Sequence, residues 1–328
     1  MTRSTNMAQA PRPARPQNAS LANDCAPRYL ESDRQRAIAG LPPQAASDRL
    51  KEGTDMKTRT LAAGNRIPVI GFGTFTLKGR ECRDAVASAL KLGYRHIDTA
   101  EMYGNHTEVA AALNAASVPR GELFLTSKVW RDHLRYRDIL EACDTALREL
   151  ETDYLDLLLI HWPNRQIPMS DSFRALAELQ QTGKVRSVGV SNFTVAHLQE
   201  AREVSEVPVA VNQVEYHPLL NQEQLLDYCR EHQIVVEAYS PLAQGELLQQ
   251  PVLKKIASDC GRTIPEIALR WLIQKGLVAL PRSASGEHQT ANLHVLDWGL
   301  DDATMRAIDG IDEQRRVVHP AFAEFDRT

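Results

Sequence analysis

Four polar residues of different chemical types stand at or just beyond the ends of short apolar runs in the first half of the chain. They are an acid, a phenol, an ammonium and an imidazole: Asp98, Tyr103, Lys128 and His161. If the apolar runs are parallel strands of one closed barrel, their carboxyl ends share one face, and chemistry in such barrels takes place at that face. Side chains of these types, brought together, could transfer protons and stabilise charge. The sequence therefore predicts an enzyme.

The apolar runs alternate with stretches of helical periodicity from Met56 onwards. We predict strands over 70–73, 94–98, 123–128, 154–161, 185–190, 209–214, 235–239 and 277–280. Amphipathic helices are predicted between them, over 81–92, 139–150, 172–181, 221–232 and 265–274 among others. Because parallel strands need crossover connections, this alternation predicts a parallel sheet. Ahead of it, the turn formers at 63–65 predict a small β-hairpin.

The number of strand–helix units favours an α/β fold of the (β/α)8 TIM-barrel type, since eight units suit the ~250 residues of such a barrel. A doubly wound sheet is the alternative. Against it, no G-x-G-x-x-G follows a strand in this sequence, although that motif marks dinucleotide-binding sheets. Polar strand ends are also spread over many strands, which suits a ring better than one switch point. The sequence predicts a barrel over residues 56–328.

Residues 1–55 differ in composition from the rest. Six prolines interrupt a segment rich in Ala, Arg and Ser, and Tyr29 is its one aromatic residue. Such a segment cannot bury enough apolar surface to offset the entropy lost on ordering, so we predict a disordered extension. It has neither the apolar run of a secretory signal nor the scarcity of acids of a transit peptide. An appended or mis-assigned start before Met56 is the favoured interpretation, and a regulatory tail is the alternative.

Composition excludes several classes of partner. The formal net charge of −4 gives no reason to expect nucleic acid or an anionic membrane, and no apolar run approaches the ~18–20 residues of a membrane span. The five cysteines are scattered without the spacing of a metal site. We therefore expect no bound metal, a small-molecule partner, and a monomer in the reducing cytoplasm.

Five segments of the chain between about Leu61 and Asp326 resemble the aldo-keto reductase family. They are 93–105, which carries Asp98 and Tyr103, 126–130, which carries Lys128, 155–163 together with 189–193, 212–218 and 238–242. Within the family the chain is most similar to short bacterial 2,5-diketogluconate and methylglyoxal reductases. The resemblance implies hydride transfer from NADPH, with NADH possible, to small aldehydes, dicarbonyls or keto sugars.

The resemblance also implies a role for each of the four polar residues. Tyr103 would be the general acid, and the Lys128 ammonium would lower the pKa of its phenol. Asp98 would pair with Lys128 and keep it charged. His161 would donate a hydrogen bond to the substrate oxygen. Aromatic residues would wall the substrate pocket beside His161, namely Phe75, Trp130 and Trp162. The short tail after the last helix implies an open mouth.

The implied cofactor contacts lie in the second half of the chain. Ser191, Asn192 and Gln213 resemble the residues that bind the nicotinamide carboxamide, and Tyr239 resembles the residue that stacks under the ring. The remaining contacts are Ser240, Leu242, Arg282, Ser283, His288 and Asn292. Three positions depart from the family pattern: His288 replaces an arginine, Ala291 an acid, and His106 a glutamate. Because His288 lacks the permanent charge of an arginine, we expect weaker discrimination against NADH than the family usually shows.

Two other functions remain open from the sequence. One is a non-catalytic, NADPH-binding barrel with a regulatory role, which the proline-rich extension favours. The other is a phosphate-binding isomerase or aldolase barrel, which would not need a tyrosine paired with a lysine. Binding of NADPH would distinguish a reductase from the isomerase or aldolase. Turnover of a carbonyl substrate would distinguish a reductase from the non-catalytic barrel.

Overall fold

The computed structural model describes residues 57–326, so the extension predicted for residues 1–55 lies outside the described residues. The described chain begins with an antiparallel pair, β1 (Thr58–Thr60) and β2 (Arg66–Pro68). Gly64 in the turn between them has a φ of 91°, which a glycine adopts without strain. The predicted hairpin is confirmed.

Eight parallel strands form a single sheet in which every strand pairs with its neighbours in the sequence. They are β3 (Phe72–Gly73), β4 (His96–Asp98), β5 (Phe124–Val129), β6 (Leu155–Ile160), β7 (Val185–Ser191), β8 (Val211–Glu215), β9 (Val235–Tyr239) and β10 (Val278–Ala279). Ile70 pairs in parallel with Ala279, which joins the first strand to the last. The predicted (β/α)8 barrel is confirmed, and the doubly wound alternative is excluded.

Helices connect the strands and pack around the barrel. They are α1 (Gly79–Leu92), α2 (His106–Ala115), α3 (Tyr136–Glu149), α4 (Met169–Gln181), α5 (Val195–Val204), α6 (Glu223–Glu231), α7 (Pro251–Cys260), α8 (Ile264–Gln274), α9 (Gly286–His294) and α10 (Asp302–Asp309). Their apolar faces join the outer faces of the strands in one large core. Among residues 57–326, no helix has the length and apolar character needed to cross a bilayer.

The inside of the barrel changes from apolar to polar along the strands. Alternate residues of a strand point to opposite faces, so residues two apart share the interior. Near the amino ends, the interior holds a separate apolar cluster that includes Phe124, Leu157 and Val235. Two and four residues beyond Phe124, the same face of β5 carries Thr126 and Lys128. The apolar layer therefore seals the barrel below, and polar side chains are left at the carboxyl ends.

Candidate active site

An acid, an ammonium and a phenol contact one another at the carboxyl ends of β4 and β5. Lys128 Nζ donates hydrogen bonds to Asp98 Oδ1 at 2.7 Å and to Tyr103 Oη at 3.1 Å. It also donates to the carbonyl oxygen of Thr99 at 3.0 Å. The Lys128 side chain is fully buried. These three acceptors compensate for the hydrogen bonds to water that the ammonium loses on burial.

A tight turn after β4 places the phenol. Tyr103 is the last residue of a single 3₁₀ turn, and Gly104 ends that turn with a φ of 53°. The buried Asn105 then fixes the turn to the barrel: its Nδ2 donates to the carbonyl of Thr74 at 3.0 Å, and its Oδ1 accepts from Thr99 Oγ1 at 2.7 Å. A buried amide bonded on both sides holds the turn rigidly, because breaking either bond would leave an unpaired polar atom.

Burial and the neighbouring charges together set the protonation states of Tyr103 and Lys128. Burial raises the pKa of Tyr103, and the nearby Lys128 charge offsets only part of that rise. Burial lowers the pKa of Lys128, but Asp98 and Tyr103 outweigh it, so the pKa of the ammonium is raised overall. The sequence-based expectation of a lowered Tyr103 pKa identified only one of the contributions, and the net direction is opposite. At neutral pH the phenol keeps its proton and the ammonium keeps its charge.

His161 lies immediately after β6, facing the phenol. Its ring centroid is 5.6 Å from that of Tyr103 and 5.3 Å from that of Trp130, both in edge-on contacts. Burial, and then the Lys128 charge, hold the pKa of His161 well below its ordinary value. The imidazole is therefore neutral, with one nitrogen that donates and one that accepts. It can donate a hydrogen bond without adding a full charge.

Three amide or hydroxyl side chains form a connected row at the ends of β7 and β9, and Gln213 lies beside them on β8. Asn192 Nδ2 donates to Ser191 Oγ at 3.0 Å, and Tyr239 Oη donates to Asn192 Oδ1 at 2.7 Å. Asn192 has a φ of 63°, a left-handed conformation that asparagine tolerates better than most residues. Gln213 uses its Nε2 internally, on Asp98 Oδ2 at 2.9 Å. Its other amide atom, the carbonyl oxygen, remains an acceptor.

A cavity of about 520 Å³ joins these groups. It is lined by all but one of the proposed catalytic residues and by most of the residues predicted to touch a cofactor: Asp98, Tyr103, His161, Ser191, Asn192, Gln213, Tyr239, Ser240, Leu242 and Arg282. Lys128 lies just behind the lining, beneath Tyr103 and Asp98. The volume is in the range of small-molecule sites.

Three of the predicted cofactor residues lie beyond the lining of this cavity. Ser283 Oγ accepts a hydrogen bond from the backbone N–H of Ser285 at 3.0 Å, which shapes the loop before α9. His288 is exposed in the first turn of α9, and Asn292 is buried one turn later. The loop and the helix follow directly in the chain after Arg282, which lines the cavity.

Aromatic side chains flank the reactive end of the cavity. Phe75 and Trp162 line it, and the Phe75 ring lies 5.1 Å from that of Tyr103. Trp130 is not part of the lining but packs against His161 from behind. Of the predicted pocket residues, two therefore face the cavity directly and one supports it.

The C-terminal segment contributes residues that the sequence analysis missed. Phe322 packs edge-on against both Trp130 and Trp162, at ring-centroid distances of 5.6 and 5.5 Å. The buried carboxylate of Glu324 anchors this segment by accepting from the Arg165 backbone N–H at 3.0 Å and by contacting His197 Nε2 at 3.2 Å. The tail thus backs the aromatic side of the cavity: Phe322 packs against Trp162, which lines it, and Val318 of the same segment reaches the lining. The two phenylalanines of the tail, Phe322 and Phe325, were the available signal.

Comparisons with known proteins agree with this geometry. A family model described as the aldo/keto reductase family matches residues 69–313. Glyoxal reductase of Bacillus subtilis (strain 168) is 41% identical over 261 residues, covering 79% of this chain and 94% of that protein.

Two solved structures give the same result. The crystal structure of MGS-M4, an aldo-keto reductase from a Medee basin deep-sea metagenome library, has a TM-score of 0.78 at 40% identity, covering 80% of this chain and 97% of that one. A candidate 2,5-diketo-D-gluconic acid reductase B has a TM-score of 0.78 at 38% identity, covering 81% and 96%. The similarity extends over almost the whole of each relative.

Proposed function

The chain belongs to the aldo/keto reductase family, and from that premise we propose that it reduces small aldehydes, dicarbonyls or keto sugars with NADPH, using Tyr103 as the proton donor. The observation that carries this proposal is the buried contact of Lys128 with Asp98 and Tyr103 beside the cavity. A protein that only bound a nucleotide would have no need to bury an ammonium against a phenol, because burying charge is costly.

The four polar residues divide the work of carbonyl reduction. The substrate oxygen lies between Tyr103 and His161, where the neutral imidazole orients it by donating a hydrogen bond. Tyr103 Oη gives its proton to that oxygen as negative charge develops there. The phenolate that remains is stabilised by Lys128, whose position and charge Asp98 maintains. NADPH, when bound, supplies the hydride to the carbonyl carbon.

The residues at the end of the barrel fit a nicotinamide. A carboxamide needs both an acceptor and a donor, and Gln213 offers a free carbonyl oxygen because its amide hydrogens are already used. Ser191 and Asn192 line the cavity beside it, and their hydrogens are bonded within the protein, so a carboxamide would have to exchange one of these bonds to gain a donor. The Tyr239 side chain lines the same wall. Arg282 and Ser283 would hold the phosphate end, with Ser240, Leu242, His288 and Asn292 as further contacts. Action as a monomer in the cytoplasm is part of the same proposal.

The direct test is cofactor oxidation with glyoxal, methylglyoxal and 2,5-diketo-D-gluconate, using NADPH and NADH in parallel. We expect turnover with NADPH on at least one of these carbonyls. Quenching of tryptophan fluorescence by NADPH without any turnover would instead support the non-catalytic regulatory barrel. If neither cofactor bound, the reductase would be excluded.

The choice of cofactor is expected to depend on position 288. Replacing His288 by Arg puts a permanent charge in the first turn of α9, six residues after Arg282. We expect NADPH to bind about fivefold more tightly, since an exposed ion pair contributes roughly 1 kcal/mol at most. NADH, which lacks the 2′-phosphate, should change by less than about twofold. Fluorescence titration measures both affinities, and an equal gain for the two cofactors would contradict a role in phosphate recognition.

The tail is expected to act on the substrate through the aromatic wall. Phe322→Ala removes the ring that supports Trp130 and Trp162, so we expect the KM for methylglyoxal to rise by about three- to tenfold with little change in kcat. Phe325→Ala is the matched control, because Phe325 contacts only Trp162 of this pair. Equal effects of the two variants on KM would show that the contact of Phe322 with Trp130 makes no separate contribution.

A further inference from the structure

A second buried carboxyl lies directly beneath the proposed catalytic group. Glu237, on β9, is fully buried inside the barrel. Gln213 Nε2 donates one hydrogen bond to Glu237 Oε2 at 2.9 Å and another to Asp98 Oδ2 at 2.9 Å. A single amide nitrogen therefore bridges the two carboxyl groups, and Asp98 in turn holds Lys128. The reaction as described above makes no use of Glu237.

The surroundings of Glu237 suit a neutral carboxylic acid. The groups that face it are Asp98, Lys128, Gln213 and His96. Lys128 is already bonded to Asp98, and His96 Nε2 lies 3.6 Å from Glu237 Oε1, too far for a good hydrogen bond. Within residues 57–326, Oε1 has no hydrogen-bond partner. One amide donor is too little to compensate a buried carboxylate.

The protonation of these neighbours agrees with that conclusion. Burial, with the Asp98 charge adding to it, raises the pKa of Glu237 to about 8. Burial lowers the pKa of His96 to about 3, so this histidine supplies no positive charge. At neutral pH the surroundings of Glu237 thus hold the Asp98–Lys128 ion pair, and protonated Glu237 is bonded to it through Gln213.

We propose that Glu237 is a positioning residue for carbonyl reduction: as a neutral acid it fixes the Gln213 amide against Asp98, and its ionisation slows the reaction. The inference rests on the proposed function. Neutral Glu237 keeps the amide nitrogen of Gln213, a residue of the cavity lining, bonded on the side of Asp98. It also lets Lys128 stabilise the phenolate of Tyr103 without a competing carboxylate.

Ionisation of Glu237 would slow proton transfer from Tyr103 by electrostatic repulsion. A second carboxylate in the interior would oppose the negative charge that Tyr103 acquires when it gives up its proton. Tyr103 and Lys128 both have raised pKa values, so neither of them accounts for a loss of activity near the pKa of Glu237.

The test compares the pH dependence of kcat/KM in the wild type and in Glu237→Gln, which keeps the shape and an acceptor oxygen but cannot ionise. The wild type is expected to lose about tenfold in kcat/KM across an alkaline limb centred near pH ~8. Glu237→Gln should keep its activity within about threefold at neutral pH and lose that limb. Asp156→Asn, which changes a buried carboxyl at the amino end of β6, is the control and should retain it.

Infrared spectroscopy of the unliganded protein supplies a readout that needs no turnover. The carbonyl band of a protonated carboxylic acid should be present at neutral pH, disappear along the same limb, and be missing in Glu237→Gln. An unchanged alkaline limb in Glu237→Gln, an equal loss of activity at every pH, or a wild type without the band would each overturn the inference. Absence of turnover in the wild type would overturn the proposed function itself. That outcome is distinguished from failure of the inference because it is seen in the wild type alone, without the variant.

Discussion

Tyr103→Phe is expected to lower kcat/KM for carbonyl reduction by about 10²–10⁴-fold, the usual contribution of a general acid. The substitution removes one oxygen and leaves the ring, which packs against Phe75 and His161 at centroid distances of 5.1 and 5.6 Å. Lys128 Nζ, 4.7 Å from the ring centroid, keeps its bond to Asp98. The variant should therefore fold normally and bind NADPH within about twofold of the wild type.

Single-turnover kinetics and fluorescence titration measure the two quantities separately. Tyr154→Phe is a matched control, because Tyr154 lies just before β6 at the opposite end of the barrel, between the guanidinium groups of Arg120 and Arg186. It should leave kcat/KM unchanged. If Tyr103→Phe kept more than about a tenth of the activity, another group or water would have to supply the proton, and the assignment of Tyr103 would be wrong.

The sequence was sufficient to predict the convergence of the polar group because a closed barrel brings strand ends together. Once the eight strands were recognised, Asp98 and Lys128 had to lie on neighbouring strands at the same face. The structure pairs β4 with β5 in parallel and places Asp98 opposite Thr126, two residues before Lys128. The Tyr103 turn was also readable from Gly104 and Asn105, which favour left-handed or turn conformations. These features depend on local patterns and on one topological rule.

The direction of the Tyr103 pKa was not predictable from the sequence. The sequence shows that Lys128 is close, but the loss of water around the phenol depends on Phe75, His161 and the depth of the cavity. Burial is the larger contribution, and it is a property of the assembled barrel. The same reason hides Glu237: in Val235–Tyr239 it reads as one polar residue in a strand, and its neighbours come from other strands.

The position of the tail was missed because its contacts are far apart in sequence. Phe322 meets Trp130 and Trp162 across more than a hundred and fifty residues, and no periodicity links a loop to such partners. Glu324 is fixed by Arg165 and His197, two residues that no motif marks. Loops of this kind are positioned by tertiary contacts, so their role in the wall of a pocket becomes visible only in the structure.

Lys128→Met is expected to cost stability and activity together. Among residues 57–326, the variant leaves the buried Asp98 side chain with the Gln213 amide as its one remaining donor. The free energy of unfolding should therefore fall by about 3–5 kcal/mol, as it does when one partner of a buried ion pair is removed. Without the ammonium, the phenolate of Tyr103 has no positive charge to stabilise it, and kcat/KM should fall by at least about 10²-fold. Denaturant unfolding and steady-state kinetics measure the two effects.

The double variant Asp98→Asn/Lys128→Met separates these two losses. Removing both charges leaves no unpaired ion in the barrel, and replacing a buried pair by neutral groups of similar size is often neutral for stability. The free energy of unfolding should therefore recover most of what Lys128→Met loses, whereas kcat/KM should not recover, because the ammonium is still missing. If activity returned together with stability, Lys128 would serve only to hold the fold. A stable but inactive double variant would show that the ion pair acts on the phenol, and that the barrel can fold without it.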